Sequence, residues 1–467
     1  MVSERLPTPL SPMRFRVVVY SLLCVELFAA MVSAPVLCAA DLALTAIERD
    51  ATRAFNNSDY DLVLKLWRSV PASSQPSKPF LRLVLQSFLK LGHPEDAFAL
   101  YQRLVPTDQS DDPVLLRAMA LSMLTSHVRD PKEHVRIAAF TTLAELGLKE
   151  TRPVLEDGLL DTSVLVRARA VEAIGRAGLA AASGPVRRAL QDEMPAVRIA
   201  AMNALGDAQA TDIIPRLLEV GRNEDSPEGI FAYAALYQLG KRDMLTDITS
   251  AATLPDPEIR MAAFGILGRL RHPSSAAVLA HGVYDPEPSV RAFAAGALGE
   301  YGKVDGVAPL THALGDEVAR VRGAAAVSVG RLGVRDTRPL LQALLRDPSM
   351  HVRASAIEGL LRLGDTSVFL TITDLARHPD PSIRAATAQA LGATSDKQGL
   401  AILQTLLQDQ QPQPRLAAAK ALGKVSGAVV PWLKRGLQDS DEAVRLTVAG
   451  SLIQQLSHPP KPTQRRS

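Results

Sequence analysis

Thiol chemistry has almost no footing in this sequence. Its two cysteines, Cys24 and Cys38, both sit near the N-terminus, so nothing beyond position 38 can form a disulfide, act as a thiolate nucleophile or bind metal through sulfur. Aromatic residues make up 4% of the chain, which leaves few platforms for stacking nucleic-acid bases. No sign of charge dominates: a net charge of +3 on 467 residues is nearly balanced, whereas a phosphate-binding face calls for a uniformly basic surface. The nine histidines are scattered, and none forms a His-Glu-x-x-His pair or another ligand spacing. No serine stands in a nucleophile elbow, and no convincing strand precedes a glycine-rich phosphate loop. These gaps predict no catalytic residues, no metal and no cofactor.

Long apolar runs are equally scarce, with one exception. Met13-Arg-Phe-Arg16 is followed by apolar sequence from Val17 to Val36 and by Cys38-Ala-Ala40 before Asp41. A basic head, an apolar middle and small residues at −3 and −1 make the pattern of a secretory signal peptide, so residues 1–40 are expected to be removed and the protein exported, to the periplasm. Leu37 before Cys38 speaks against a lipoprotein signal. The alternative is a membrane anchor over 17–36, and only then is the membrane a partner. Glu26 divides that run into stretches shorter than the ~20 residues a span requires. Met13 as the true start would place the basic pair at the very N-terminus. At the other end, 457–467 reads as a disordered basic tail, with Pro459-Pro-Lys-Pro and Arg465-Arg466.

What the chain has in plenty is repetition. Arginine recurs at Arg136, Arg167, Arg198, Arg260, Arg291, Arg322, Arg353, Arg384, Arg415 and Arg445, with spacings of 31 except for 62 after Arg198 and 30 at the end. The 62 is two periods, with Gly229 in the vacant place. A fixed period of this size means stacked supersecondary units that cannot bury an apolar face alone. Each unit reads as a helical hairpin. Pro195, Pro257, Pro288, Pro381 and Pro412 stand three residues before the anchor and mark the start of the second helix. Val352, Ala356, Leu360 and Leu363 give one such helix a single apolar face. The residue three after the anchor is alanine in nine units, small enough to let neighbouring helices approach. Gly147, Gly178, Gly240, Gly302, Gly333 and Gly364 suit a left-handed helix end. The predicted fold is all-α, an α-solenoid over 129–456.

The D-x-x-x-x-V-R-x-x-A…L-G pattern resembles the HEAT repeat in the short, 31-residue form named from phycobilisome lyase subunits. The resemblance implies a polar ladder between units, built from the anchor arginines and the aspartates six residues before them, each arginine pairing with its own unit's aspartate or with a neighbouring unit's acid. Asp130, Asp161, Asp192, Asp285, Asp316, Asp347, Asp409 and Asp439 hold that place. Two units carry the aspartate at −4 instead (Asp256 and Asp380), where the ladder is expected to be re-formed or broken. Residues 41–128 follow another period: Ser58, Val63 and Trp67 match Gly92, Ala97 and Tyr101, each 34 further on. The second of these units resembles a tetratricopeptide repeat at its glycine, alanine and aromatic.

The expected function is a non-enzymatic scaffold of the cell envelope that binds a protein or peptide along a concave face of second helices, without nucleic acid. The alternatives are an accessory subunit of a bilin-lyase-type or other modifying enzyme, and a nucleic-acid-binding repeat protein. Positions five and nine after the anchor, such as Glu358/Arg362 and Lys420/Lys424, with Arg331, read as a mixed, solvated outer ridge. The candidate partner-binding spot is the fourth unit, where Glu228-Gly229 replaces Val-Arg. There the acids Glu224, Asp225 and Glu228 adjoin Phe231, Tyr233 and Tyr237, and the Tyr237 ring is expected to protrude. The competing expectation is that Phe231 and Tyr233 merely fill the space of the missing arginine.

Overall fold

The computed structural model describes residues 42–105, 110–222 and 226–457, and within them every regular element is a helix. The leader and tail expectations, over 1–40 and beyond Ser457, therefore lie outside the described residues, as do Glu224 and Asp225. No helix among the described residues is long and apolar enough to cross a membrane. The chain divides into two compact units, the first ending at Asp112 and the second beginning at Pro113.

The first unit is two helical hairpins: a helix over 42–56 with Tyr60–Arg68, then Lys78–Lys90 with Pro94–Leu104. The 34-residue match reappears in the backbone, because Ser58 and Gly92 both take left-handed turns, with φ of 60° and 76°. Between the hairpins the Trp67 ring meets Phe80 edge-on, with centroids 5.9 Å apart, and the Arg103 guanidinium lies 5.5 Å from the Trp67 ring. The Tyr101 hydroxyl closes the unit, donating to Asp111 at 3.0 Å and accepting from the Asp112 amide at 2.9 Å.

In the second unit the helix Pro113–Ser126 serves as first helix of repeat 1, and the eleven repeats follow in order to Ser457. Second helices begin where the prolines foretell, as in Pro195–Asp207 and Pro288–Tyr301. The residue three after the anchor is fully covered in every repeat: all nine alanines from Ala139 to Ala418 have no exposed surface, and Thr387 and Val448 stand in for them in repeats 9 and 11. Eight after the anchor, a glycine commonly lies against the next second helix. A Cβ on Gly268 would sit 3.0 Å from Ala297 Cα, and one on Gly330 only 2.3 Å from Gly359 Cα. Small residues thus set how closely successive second helices approach.

The stack closes on itself. The last helix, Glu442–Ser457, packs against the first two of the unit, Pro113–Ser126 and Glu133–Leu146. Gly450 makes the closure possible, since a Cβ there would lie 2.3 Å from Thr142 Cγ2. Lys132 donates to Glu442 at 3.0 Å and Lys420 to Glu145 at 2.5 Å across the join. The second unit is therefore a closed ring with second helices facing inward, where periodicity alone suggested an open curved face.

All six cap glycines have positive φ, from 58° at Gly147 to 96° at Gly240. Two repeats lack glycine at this place yet keep the conformation, through Gln209 (φ 56°) and Arg271 (φ 50°). Gln209 is anchored there by donating to the carbonyls of Gly206 and Gln238. Arg271 is exposed, and its side chain offers no such compensation. Arg271→Gly is expected to raise stability by about 1 kcal/mol, because an L-residue costs about 1–2 kcal/mol in the left-handed region. Urea unfolding checks this, and an unchanged or lower midpoint would contradict it.

Candidate functional site

The ladder comes first, because it fixes where every other side chain points. Eight of the ten anchor arginines, all but Arg353 and Arg445, grip the acid of the following repeat, not the one six residues before them. Arg322 donates from Nε to Asp347 Oδ2 at 2.7 Å and from Nη2 to Oδ1 at 2.9 Å. Its Nη1 turns back to the carbonyls of Asp316 and Glu317, at 2.8 and 2.9 Å. The aspartate six before the anchor thus contributes its backbone to its own arginine and its carboxylate to the preceding one. That carboxylate also holds the turn leading into its own second helix, as when Asp347 accepts from the Ser349 amide at 2.8 Å. The same fork joins Arg136 to Asp161, Arg167 to Asp192, Arg260 to Asp285, Arg291 to Asp316, Arg384 to Asp409 and Arg415 to Asp439. Hydrogen bonds from the guanidinium hold the carboxyls of Asp192, Asp347 and Asp409 below the usual range, against the opposing effect of their burial.

The irregular repeats become intelligible in this register. Arg198 finds its acid in Glu228, at 2.6 Å from both Nε and Nη2, so the acid of the fourth repeat has moved to the place just before the missing anchor. The acid a fourth-repeat arginine would have gripped is also missing, because Leu254 stands there; the break leaves no charge unpaired. Asp256 and Asp380 are helix caps, accepting from the amides of Glu258 and Ser382, and do not restore rungs. His378 occupies the acid place opposite Arg353, whose Nε donates instead to the Asp347 carbonyl at 2.6 Å. At the join Arg445 keeps its bond to the Asp439 carbonyl, at 2.8 Å, but its buried Nε has no partner among the described residues. A further rung on the first helices, Arg187 to Asp212 at 2.7 Å, escaped the sequence pattern because it belongs to a single pair of repeats.

The inner face of the ring is the candidate binding surface. Positions two, five and nine after the anchor line it, so the supposed outer ridge faces inward. A cavity of about 400 Å3 spans repeats 4 to 7 and is walled by Phe231, Met261, Phe293, Arg269, Glu300 and Arg331. A second, of about 380 Å3, runs over repeats 7 to 10 with Arg331, Glu358, Arg362, Gln389, Lys420 and Lys424. A third, of about 490 Å3, crosses the join, bringing Arg176 and Glu145 to Lys420 and Lys424. Arg331 is common to the first two and the two lysines to the last two, so one continuous surface draws on every repeat except the third.

Of the spot expected on the fourth repeat, the described residues Glu228, Phe231, Tyr233 and Tyr237 do not converge on one surface. Tyr237 does not protrude: it is 8% exposed, with the Arg242 guanidinium 4.6 Å from its ring and His272 edge-on at 6.5 Å. The reason is its register, eight after the anchor place, which faces the neighbouring second helix. Tyr233 turns toward the first helix, its ring lying where a Cβ on Gly221 would come within 2.6 Å. Glu228 is committed to Arg198. Of the group's described members, only Phe231 lines the inner cavity. Phe293 was missed, although it shares position two with Phe231. It is 46% exposed and lies over Gly265. Among the described residues no group of histidine, cysteine, aspartate and glutamate side chains is arranged to hold a metal ion.

A family model described as HEAT repeats matches residues 159–236, 282–360, 337–423 and 400–462. No curated protein matches the sequence. Among solved structures, the complex of CpcE and CpcF of phycocyanin lyase from Nostoc sp. PCC7120 is similar at 22% identity, over 44% of this chain and 94% of that one, with a TM-score of 0.36. Human deoxyhypusine hydroxylase is similar at 20% identity, over 54% of this chain and 98% of that one, with a TM-score of 0.30. Kap95p bound to RanGDP is similar at 13% identity, over 87% of this chain and 64% of that one, with a TM-score of 0.36. At these scores the superpositions add nothing to the family match.

Proposed function

The chain belongs to the HEAT-repeat family, and from that membership together with the closed ring we propose that it is a non-enzymatic scaffold of the cell envelope whose protein or peptide partner seats on the inner face. The observation carrying this reading is the continuity of that face: cavities joined through Arg331, Lys420 and Lys424 present polar and apolar groups from ten of the eleven repeats. A surface assembled from many short units suits an extended partner. Export is supported by the leader-like pattern before Asp41.

A photoreactive phenylalanine analogue placed at Phe293 tests the reading, with the same analogue at Leu370 as a control. Leu370 lies on the first-helix layer and is 84% exposed. Cross-linking to one defined protein from Phe293 but not from Leu370, in cells of the source organism, is the expected result. Equal capture from both positions, or capture from Leu370 alone, would overturn it. The N-terminal residue of the protein recovered from the envelope is expected to be Asp41, and protein found only in the cytoplasm would remove the envelope from the proposal.

A further inference from the structure

We propose that the ring takes an extended acidic peptide in which an apolar side chain precedes a run of carboxylates, which names the partner class for the inner face and rests on the reading given above. The two halves of that face differ in chemistry. On repeats 4 to 6, Phe231, Met261 and Phe293 surround a cavity whose floor is opened by Gly296, while the Phe293 ring covers Gly265. A Cβ on Gly296 would meet no atom within 4 Å, and Phe293 stays 46% exposed, so room and apolar surface for one incoming side chain coexist there.

On repeats 7 to 10 the lining changes to Arg331, Arg362, Lys420 and Lys424 against one carboxylate, Glu358. That carboxylate is occupied by Arg362 at 2.8 Å, and Lys420 is taken by Glu145. Among the described residues no salt bridge engages Arg331 or Lys424, and both are exposed to the cavity. Arg331 borders both halves, so an apolar side chain seated beside Phe293 directs the following residues toward the cations.

The basic tail beyond Ser457 carries Lys461, Arg465 and Arg466 with no acid, and has the wrong sign for this half. A nucleic acid would carry its phosphates past Glu145, Glu300 and Glu358, all on the same face. A peptide can place its carboxylates only where the cations stand.

Fluorescence anisotropy of the full chain tests this with three labelled probes. They are a synthetic peptide with phenylalanine ahead of alternating glutamate and glycine, its glutamine counterpart, and a single-stranded oligonucleotide of matched charge. The acidic peptide is expected to bind at least about tenfold more tightly than the glutamine peptide, and that preference should shrink as salt shortens the screening length. Arg331→Glu with Lys424→Glu should abolish the preference while leaving the thermal midpoint unchanged, because both side chains are exposed. Phe293→Ser should weaken both peptides. Equal affinity for the two peptides, no binding of the acidic one, or tighter binding of the oligonucleotide would each overturn the inference. If the neutral peptide binds equally and is lost with Phe293→Ser, the inner face still serves peptides and only the acidic preference falls. If neither peptide binds, the cross-linking at Phe293 judges the scaffold reading separately.

Discussion

Arg322→Ala is expected to destabilise the ring by about 3 kcal/mol, the cost of leaving a buried carboxylate without its counter-charge. The arginine is 13% exposed in its side chain and Asp347 only 4%, so water compensates neither once the fork is broken. Four hydrogen bonds are lost together, two to the carboxylate and two to carbonyls that close the preceding turn. Arg353→Ala is the matched control. It occupies the same place one repeat later but faces His378 where an acid would stand, and gives up one hydrogen bond to a carbonyl. Its expected cost is about 1 kcal/mol. Urea unfolding followed by circular dichroism measures both, with the comparison made at the midpoints because repeat arrays need not unfold in one step. Equal losses would show that the bond to the next repeat's acid contributes nothing beyond the backbone contact both arginines make.

Gly330→Ala is expected to cost a similar amount, about 3 kcal/mol, by a different route. On helix propensity alone the change should stabilise by about 1 kcal/mol, since glycine is a poor residue for a helix interior. Packing reverses the sign. The new methyl would stand 2.3 Å from the Cα of Gly359 and 2.9 Å from its carbonyl oxygen, and backbone cannot step aside as a flexible side chain can. The helices Ala319–Leu332 and Met350–Arg362 must separate, and in a closed ring that displacement reaches the join at Gly450 and Thr142. Gly296→Ala separates the two effects: it too is mid-helix, but its Cβ meets nothing within 4 Å, so propensity acts alone and a gain of about 1 kcal/mol is expected. Thermal unfolding of the two variants decides. Stabilisation by both would mean that the second helices are not held at backbone contact.

The candidate surface was only partly visible beforehand. Phe231 was singled out for its place in the irregular repeat and does line the inner face, but Tyr237, chosen on the same ground, is a packing residue. Residue type alone could not separate them. Register could: two after the anchor faces the inside of the ring, and eight after it faces the neighbouring helix. Applied to every repeat, that rule leads from Phe231 to Phe293, and position nine leads to Arg331 and Lys424.

By itself the sequence determined the period, the all-helical hairpins, the proline starts, the covered alanines and the left-handed glycine ends. These follow from contacts between residues a few positions apart, or between copies at one fixed offset, and both are written in the chain. Only the tertiary structure decided which acid the ladder arginines take, the next repeat's, that Glu228 substitutes for an aspartate, and that the ridge of positions five and nine faces inward. It alone decided that the eleventh repeat meets the first. Closure depends on the rotation from one repeat to the next, set at each step by whether a glycine, an alanine or a ring such as Tyr237 separates neighbouring second helices. Small differences at each step add up around the whole ring, so no single repeat carries the answer.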